Sequence, residues 1–142
     1  ALLLALITSL LTACSFVMLP EEQDPPADPK QEQQLAREGT YTTKEDVALY
    51  IHLYGRLPDN FITKKEAQQL GWTGGSLEPY APGCCIGGSR FGNYEGLLPE
   101  ADGRTWTECD INTLGAKSRG PERIVFSNDG LIYYTGDHYQ TF

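Results

Sequence analysis

Candidate acid–base groups are scarce in this sequence. The two histidines stand at positions 52 and 138, and the most suggestive carboxylate is Glu108, in the run Gly103-Arg104-Thr105-Trp106-Thr107-Glu108-Cys109-Asp110-Ile111-Asn112. Threonine, tryptophan and isoleucine favour a pleated, half-buried surface. Period-two alternation sets Thr105, Thr107, Cys109 and Ile111 on one strand face and Arg104, Trp106, Glu108 and Asp110 on the other. Two carboxylates, an arginine and an indole on one face are costly unless they meet partners or solvent, so this face is either a salt-bridged surface or a site. His138 follows Asp137 in a loop leading to Tyr139, and loops displayed by a rigid sheet often carry function. His52 falls on the polar flank of a helix and reads as surface. A carboxyl group with an ordinary pKa of about 4.3 and an imidazole of about 6.5 can divide proton removal and proton return near pH 5 to 6.

Other chemistries find little support. No His/Cys pattern has metal-ligand spacing, no glycine-rich phosphate loop follows a strand, and no Gly-x-Ser-x-Gly elbow occurs, which argues against metal-dependent and serine-hydrolase mechanisms. The formal charge of −8 argues against bulk attraction to polyanions, so any nucleic-acid site must be local.

These groups need elements to position them. Thr42-Thr43-Lys44-Glu45 has capping-box form, and Val47, Tyr50, Ile51 and Tyr54 follow at helical spacing before Gly55, which predicts an amphipathic helix of three turns. Leu57-Pro58-Asp59-Asn60 is turn chemistry. Thr63-Lys64-Lys65-Glu66 is a second capping box, opening a shorter helix through Ala67 and Leu70 that stops at Gly71. Lys64 and Lys65 occupy a first turn, where the helix dipole favours acids; they are either two solvated lysines or an anion-binding pair. A Gly/Pro-rich loop over residues 73–83 precedes β-prone segments at 85–90, 104–111, 123–127 and 131–135, the last two joined by Asn128-Asp129-Gly130, a hairpin signal. Residues 138–142 could add an edge strand. Helices first and strands after predict an α+β fold, with N-terminal helices packed on one face of a four- to five-stranded antiparallel sheet.

Residues 1–13 carry no charge and match the h-region of a secretory signal, too short to span a bilayer. Leu11-Thr12-Ala13-Cys14 resembles a bacterial lipobox, which makes Cys14 a candidate lipidation site holding the protein at a membrane surface; simple secretion is the alternative. Residues 14–38 read as an acidic, Pro/Gln-rich spacer unable to bury enough to fold, and residues 39–142 as one domain.

From residue 47 onward the chain resembles the barnase-like microbial guanyl-specific ribonuclease family. The strings that carry the resemblance include Leu57-Pro58-Asp59-Asn60-Phe61-Ile62-Thr63-Lys64, Leu70-Gly71-Trp72, Ile86-Gly87-Gly88, Asn93-Tyr94-Glu95-Gly96, Gly103-Arg104-Thr105-Trp106, Arg123-Ile124 and Asp137-His138-Tyr139-Gln140-Thr141-Phe142. The resemblance implies Glu108 as general base, His138 as general acid, and Lys64, Arg119 and Arg123 as cations for the phosphate. The segment from Asp110 to Arg119 is one residue longer than in the family, so Lys117 competes with Arg119. The loop Phe91-Gly92-Asn93-Tyr94-Glu95 maps to guanine recognition, with Glu95 reading the base, Tyr94 stacking as in the family's fungal branch, and Tyr139 flanking from the other side. It further implies cleavage of single-stranded RNA without metal or cofactor, by an exported monomer with a barstar-like protein inhibitor as a partner. A non-catalytic RNA- or inhibitor-binding module is the alternative. Export makes a disulfide expected among Cys84, Cys85 and Cys109; strand parity favours Cys85 with Cys109 over Cys84 with Cys109.

Overall fold

The computed structural model describes residues 34–142. The expected h-region at 1–13, Cys14 and the spacer up to residue 33 lie outside the described residues. Helix α1 (Lys44–Tyr54) starts where a side chain can satisfy its free N–H groups: Thr43 is the N-cap and its Oγ1 accepts from the Asp46 N–H. This is one residue later than the sequence pattern suggested. Gly55, at φ 68°, closes the helix by donating its N–H to the Ile51 carbonyl, a left-handed position that glycine takes without Cβ strain. Helix α2 (Lys64–Gln69) has the full capping box, Thr63 Oγ1 accepting from Glu66 N–H and Glu66 returning to Thr63 N–H. Its buried side is Ala67, and Leu70, at its C-terminal end, is 56% exposed.

The sheet runs β1 (Phe61–Ile62), β2 (Cys85–Phe91), β3 (Trp106–Asp110), β4 (Arg123–Ser127), β5 (Ile132–Thr135), in that spatial order, with β1 parallel to β2 and the rest antiparallel. Alternation along β3 and β4 divides its two faces. Cys109, Ile111, Ile124 and Phe126 pack against Val47 and Ile51 of α1. On the other face Trp106 and Val125 join Leu98, with Phe91, Leu131, Tyr133 and Tyr139 around them. Burying each fully enclosed aliphatic chain of these layers contributes about 1.5 to 3 kcal/mol. Helix α1 thus covers the back of the sheet, and the front is free to carry a site.

Ahead of α1, three tyrosine hydroxyls grip three successive carbonyls. Tyr54 donates to Leu35, Tyr41 to Ala36 at 2.6 Å and Tyr50 to Arg37 at 2.6 Å, while the Arg37 guanidinium stands 4.7 Å over the Tyr54 ring. The Tyr41 ring lies so close on Gly39 that a Cβ there would come within 2.3 Å of its Cζ. Residues 35–37, expected as the end of a spacer, are therefore held against the helix.

Three expectations need correction. The fifth strand is β1, formed by parallel pairing of Phe61 with Cys85 and Ile62 with Ile86, and not residues 138–142, which form turns. The central strand is shorter than the 104–111 expected, because Gly103 (φ 74°) and Asn112 (φ 57°) bend the chain at either end. The expected Cys85–Cys109 disulfide is not formed, and Cys84, Cys85 and Cys109 are free thiols. Parity is right but register is not: Cys109 stands opposite Gly87, two residues from Cys85. Diagonal neighbours of this kind sit about 7 to 8 Å apart, too far for an S–S bond. Burial pushes all three thiols upward in pKa, Cys109 most.

Candidate active site

The front of β3 carries the carboxylate that the sequence singled out. Glu108, opposite Val125 on β4 and Ser89 on β2, keeps 13% of its side chain exposed. Its Oε1 lies 3.1 Å from Lys64 Nζ, so the lysine that broke the helix-dipole pattern has a carboxylate partner across the sheet. Its Oε2 accepts a 2.6 Å hydrogen bond from the Tyr139 hydroxyl. Burial, and then the bond to Glu108, push the Tyr139 phenol well above its ordinary pKa, so it remains a protonated donor.

Two residues along, Asp110 is buried and organises both arginines. Arg119 forks onto it, Nε to Oδ2 and Nη2 to Oδ1 at 2.7 Å each, and this bond raises the arginine's pKa further. Arg119 and not Lys117 makes this fork. Arg123, paired with Thr135 in the sheet, brings Nε to 3.1 Å from Asp110 Oδ1, but out of line for a hydrogen bond. Its Nη1 instead donates to the carbonyls of Arg119, Gly120 and Glu122. Lys64, Arg119 and Arg123 against Glu108 and Asp110 leave one net positive charge in a protein of net charge −8. A monoanionic phosphodiester is the complement of that excess.

His138 is exposed on a turn after β5, its N–H bonded to the Pro121 carbonyl and its ring 4.9 Å from that of Tyr139. Tyr139 in turn stacks on Phe91 at 5.0 Å. The two residues line, with Phe91, Gly92, Asn93, Tyr94 and Glu95, a pocket of about 390 Å³. All five residues of the expected base loop thus meet the expected acid in one cavity. The loop is pinned from within. Asn93, buried and at φ 51°, accepts from Leu98 N–H and donates to the Leu98 carbonyl at 2.8 Å and to Glu100. Its side chain is spent on the loop, so only its backbone can face a ligand. The Tyr94 ring covers Gly92, where a Cβ would sit 2.2 Å from the ring, and its outer side is open, the residue being 99% exposed. Glu95 is exposed at the rim.

A family model described as ribonuclease matches residues 44–142. The chain belongs to the ribonuclease family. It is 53% identical over 102 residues to a ribonuclease of Heyndrickxia coagulans, an alignment covering 70% of this chain and 93% of that protein. It is equally identical over 102 residues to a ribonuclease of Bacillus intermedius, where the alignment spans 62% of that protein's length. A guanyl-specific ribonuclease, Sa, of Kitasatospora aureofaciens is 41% identical over 56 residues, covering 39% of this chain and 58% of that protein. The family membership and the α+β architecture are those expected from the sequence.

Sequence reasoning left out several residues that the structure brings to this candidate site. Leu97, Gln140 and Phe142 also line the pocket, and Asp137 with Thr135 builds the turn beneath His138. A signal for the turn was available: a threonine two residues before an aspartate, with a threonine four residues after it, offers side-chain bonds that compete with a strand ladder.

Proposed function

We propose that this ribonuclease is an exported endoribonuclease that needs no metal and cuts single-stranded RNA on the 3′ side of guanosine. RNA supplies its own nucleophile, so the protein has to move two protons and offset charge. Glu108 takes the proton of the ribose 2′-OH, and O2′ bonds to phosphorus. As the P–O5′ bond breaks, His138 gives its proton to O5′. The products are a 2′,3′-cyclic phosphate and a free 5′-hydroxyl, and water opens the cyclic ester with the two roles exchanged. Lys64, Arg119 and Arg123 balance the charge growing on the phosphoryl oxygens, Asp110 fixing both arginines, and Lys64 passes from Glu108 to the incoming phosphate.

Base choice falls to the loop. Guanine presents N1–H and N2–H2 donors side by side, which one carboxylate, Glu95, accepts together, while adenine offers no such pair. Backbone groups at Gly92 and Asn93 face O6 and N7, and Tyr94 and Tyr139 flank the base. The observation that supports this reading best is the Tyr139 hydroxyl on Glu108: it ties the base-binding pocket, with His138 in its wall, to the carboxylate and its cations. The test is guanylyl-(3′→5′)-uridine incubated with the purified protein in EDTA. Guanosine 2′,3′-cyclic phosphate and uridine are the expected products, faster than from the adenosine counterpart; no cyclic product would overturn the reading.

Export and membrane attachment through Cys14 complete the proposal, checked by radiolabelled palmitate incorporation into wild type and Cys14→Ala. An acidic barstar-like inhibitor in the producing cell is the matching partner, and its expression should rescue cells from the unexported enzyme.

A further inference from the structure

His138 and Tyr139 are consecutive residues at positive φ, 55° and 70°. Neither is glycine, and backbone of this kind is strained and persists only where the surroundings over-determine it. The surroundings here are one carboxylate and two hydroxyls. Asp137 Oδ1 accepts from Thr135 Oγ1 at 2.8 Å, Gln140 N–H at 3.1 Å and Thr141 N–H at 2.9 Å, and its Oδ2 accepts from Thr141 Oγ1 at 2.6 Å. Thr135 Oγ1, on a residue 1% exposed, in turn accepts from Tyr139 N–H at 3.1 Å. The clamp therefore begins in the sheet, at the residue paired with Arg123, and closes over both strained positions.

We propose that Asp137, with Thr135 and Thr141, is a positioning group for the cleavage reaction: it holds the double left-handed turn that aims the His138 imidazole into the pocket while the Tyr139 hydroxyl reaches Glu108. The inference rests on His138 acting as the general acid. Asp137 touches neither the phosphate nor the base; it works through the two residues after it. Glu108 is set between paired strands, opposite Ser89 and Val125, and not by the clamp, so the proton-accepting half of the reaction survives when the clamp is lost and the proton-donating half fails.

That asymmetry can be read out. A nucleoside 5′-alkoxide leaves only with a proton, whereas 4-nitrophenolate leaves without one. For Asp137→Ala, kcat on guanylyl-(3′→5′)-uridine is expected to fall by about 30-fold or more, and on guanosine 3′-(4-nitrophenyl phosphate) by less than about threefold, within the range a general acid contributes. Asp137→Asn, which keeps acceptor Oδ1, should recover part of the loss. His138→Ala is the control: it should show the same leaving-group dependence, larger. Should Asp137→Ala fail to fold, Thr141→Val removes only the 2.6 Å hydroxyl bond and gives the same comparison at smaller amplitude. Equal losses on both substrates, or none, in a folded clamp variant while His138→Ala retains its leaving-group dependence would overturn the positioning role alone. Equal losses in His138→Ala as well would overturn the acid assignment beneath it.

Discussion

Two neighbouring regions of the candidate site are built on different principles. The region proposed to hold the phosphate sits on paired strands: Glu108 and Asp110 on β3, Arg123 on β4, with Asp110 and Arg123 at 1% and 3% exposure. The region proposed to hold the base is a loop, held by one buried asparagine and topped by a tyrosine almost wholly in solvent. Groups that move protons gain from fixed separation, since misplacement by an ångström is costly in rate. Groups that read a base must admit and release it, and a pinned loop gives that freedom.

The comparison breaks most visibly at the strand end. Glu108→Gln and His138→Ala should each lower kcat on a guanosine dinucleotide by about 10² to 10⁴, with KM moving much less; a large KM effect with kcat intact would place these residues in binding. At the loop end, Glu95→Gln should leave the adenosine substrate nearly untouched and cost the guanosine substrate about 1 to 3 kcal/mol in kcat/KM, the worth of a good bidentate base contact. Asn93→Ala should destabilise the fold by about 1 to 3 kcal/mol in urea unfolding, because the Leu98 carbonyl and N–H lose their buried partner. Guanosine 3′-monophosphate would also bind more weakly, while the nitrophenyl ester's kcat at saturation changes little. Smallest is the acid limit of the clamp joining both ends. The hydroxyl and N–H of Thr141, with Thr135, hold Asp137 down at about 2, below its ordinary 3.8. A depressed carboxylate stabilises the folded state fully above 3.8 and loses that contribution as pH falls through about 2. Carbon-detected NMR titration of Asp137 should follow that midpoint, and Thr141→Val should raise it.

What the sequence disclosed follows the reach of each interaction. Helices α1 and α2 were legible, the start of α1 to within one residue, because their caps are local: Thr43 and Thr63 each bond three residues ahead. The faces of β3 were legible because alternation belongs to the strand itself. Strand β1 was not, since two residues become a strand only through a partner at Cys85 and Ile86. The tail at 138–142 was open to reading as an edge strand, yet Asp137 takes the Gln140 and Thr141 N–H groups that a ladder would need. The cysteine pairing failed on register, which a bulge between Gly87 and Ser89 shifts and which composition cannot reveal. At the candidate site, residue types singled out Glu108 and His138 and the family resemblance added Arg119 and Arg123, whereas the Tyr139 bond to Glu108 spans 31 residues and had no local mark.

The tyrosine grip on residues 35–37 has a mechanical consequence. The Leu35, Ala36 and Arg37 carbonyls are held at adjacent points, so a pull arriving along the chain meets three O–H···O bonds within three residues. Two of the three anchors, Tyr50 and Tyr54, belong to α1, and force delivered there enters the back layer of the molecule. Val47 and Ile51 of α1 pack on the back of the strands whose front faces carry Glu108 and Arg123, so tension arriving through residues 35–37 meets the helix and its packing before the candidate site.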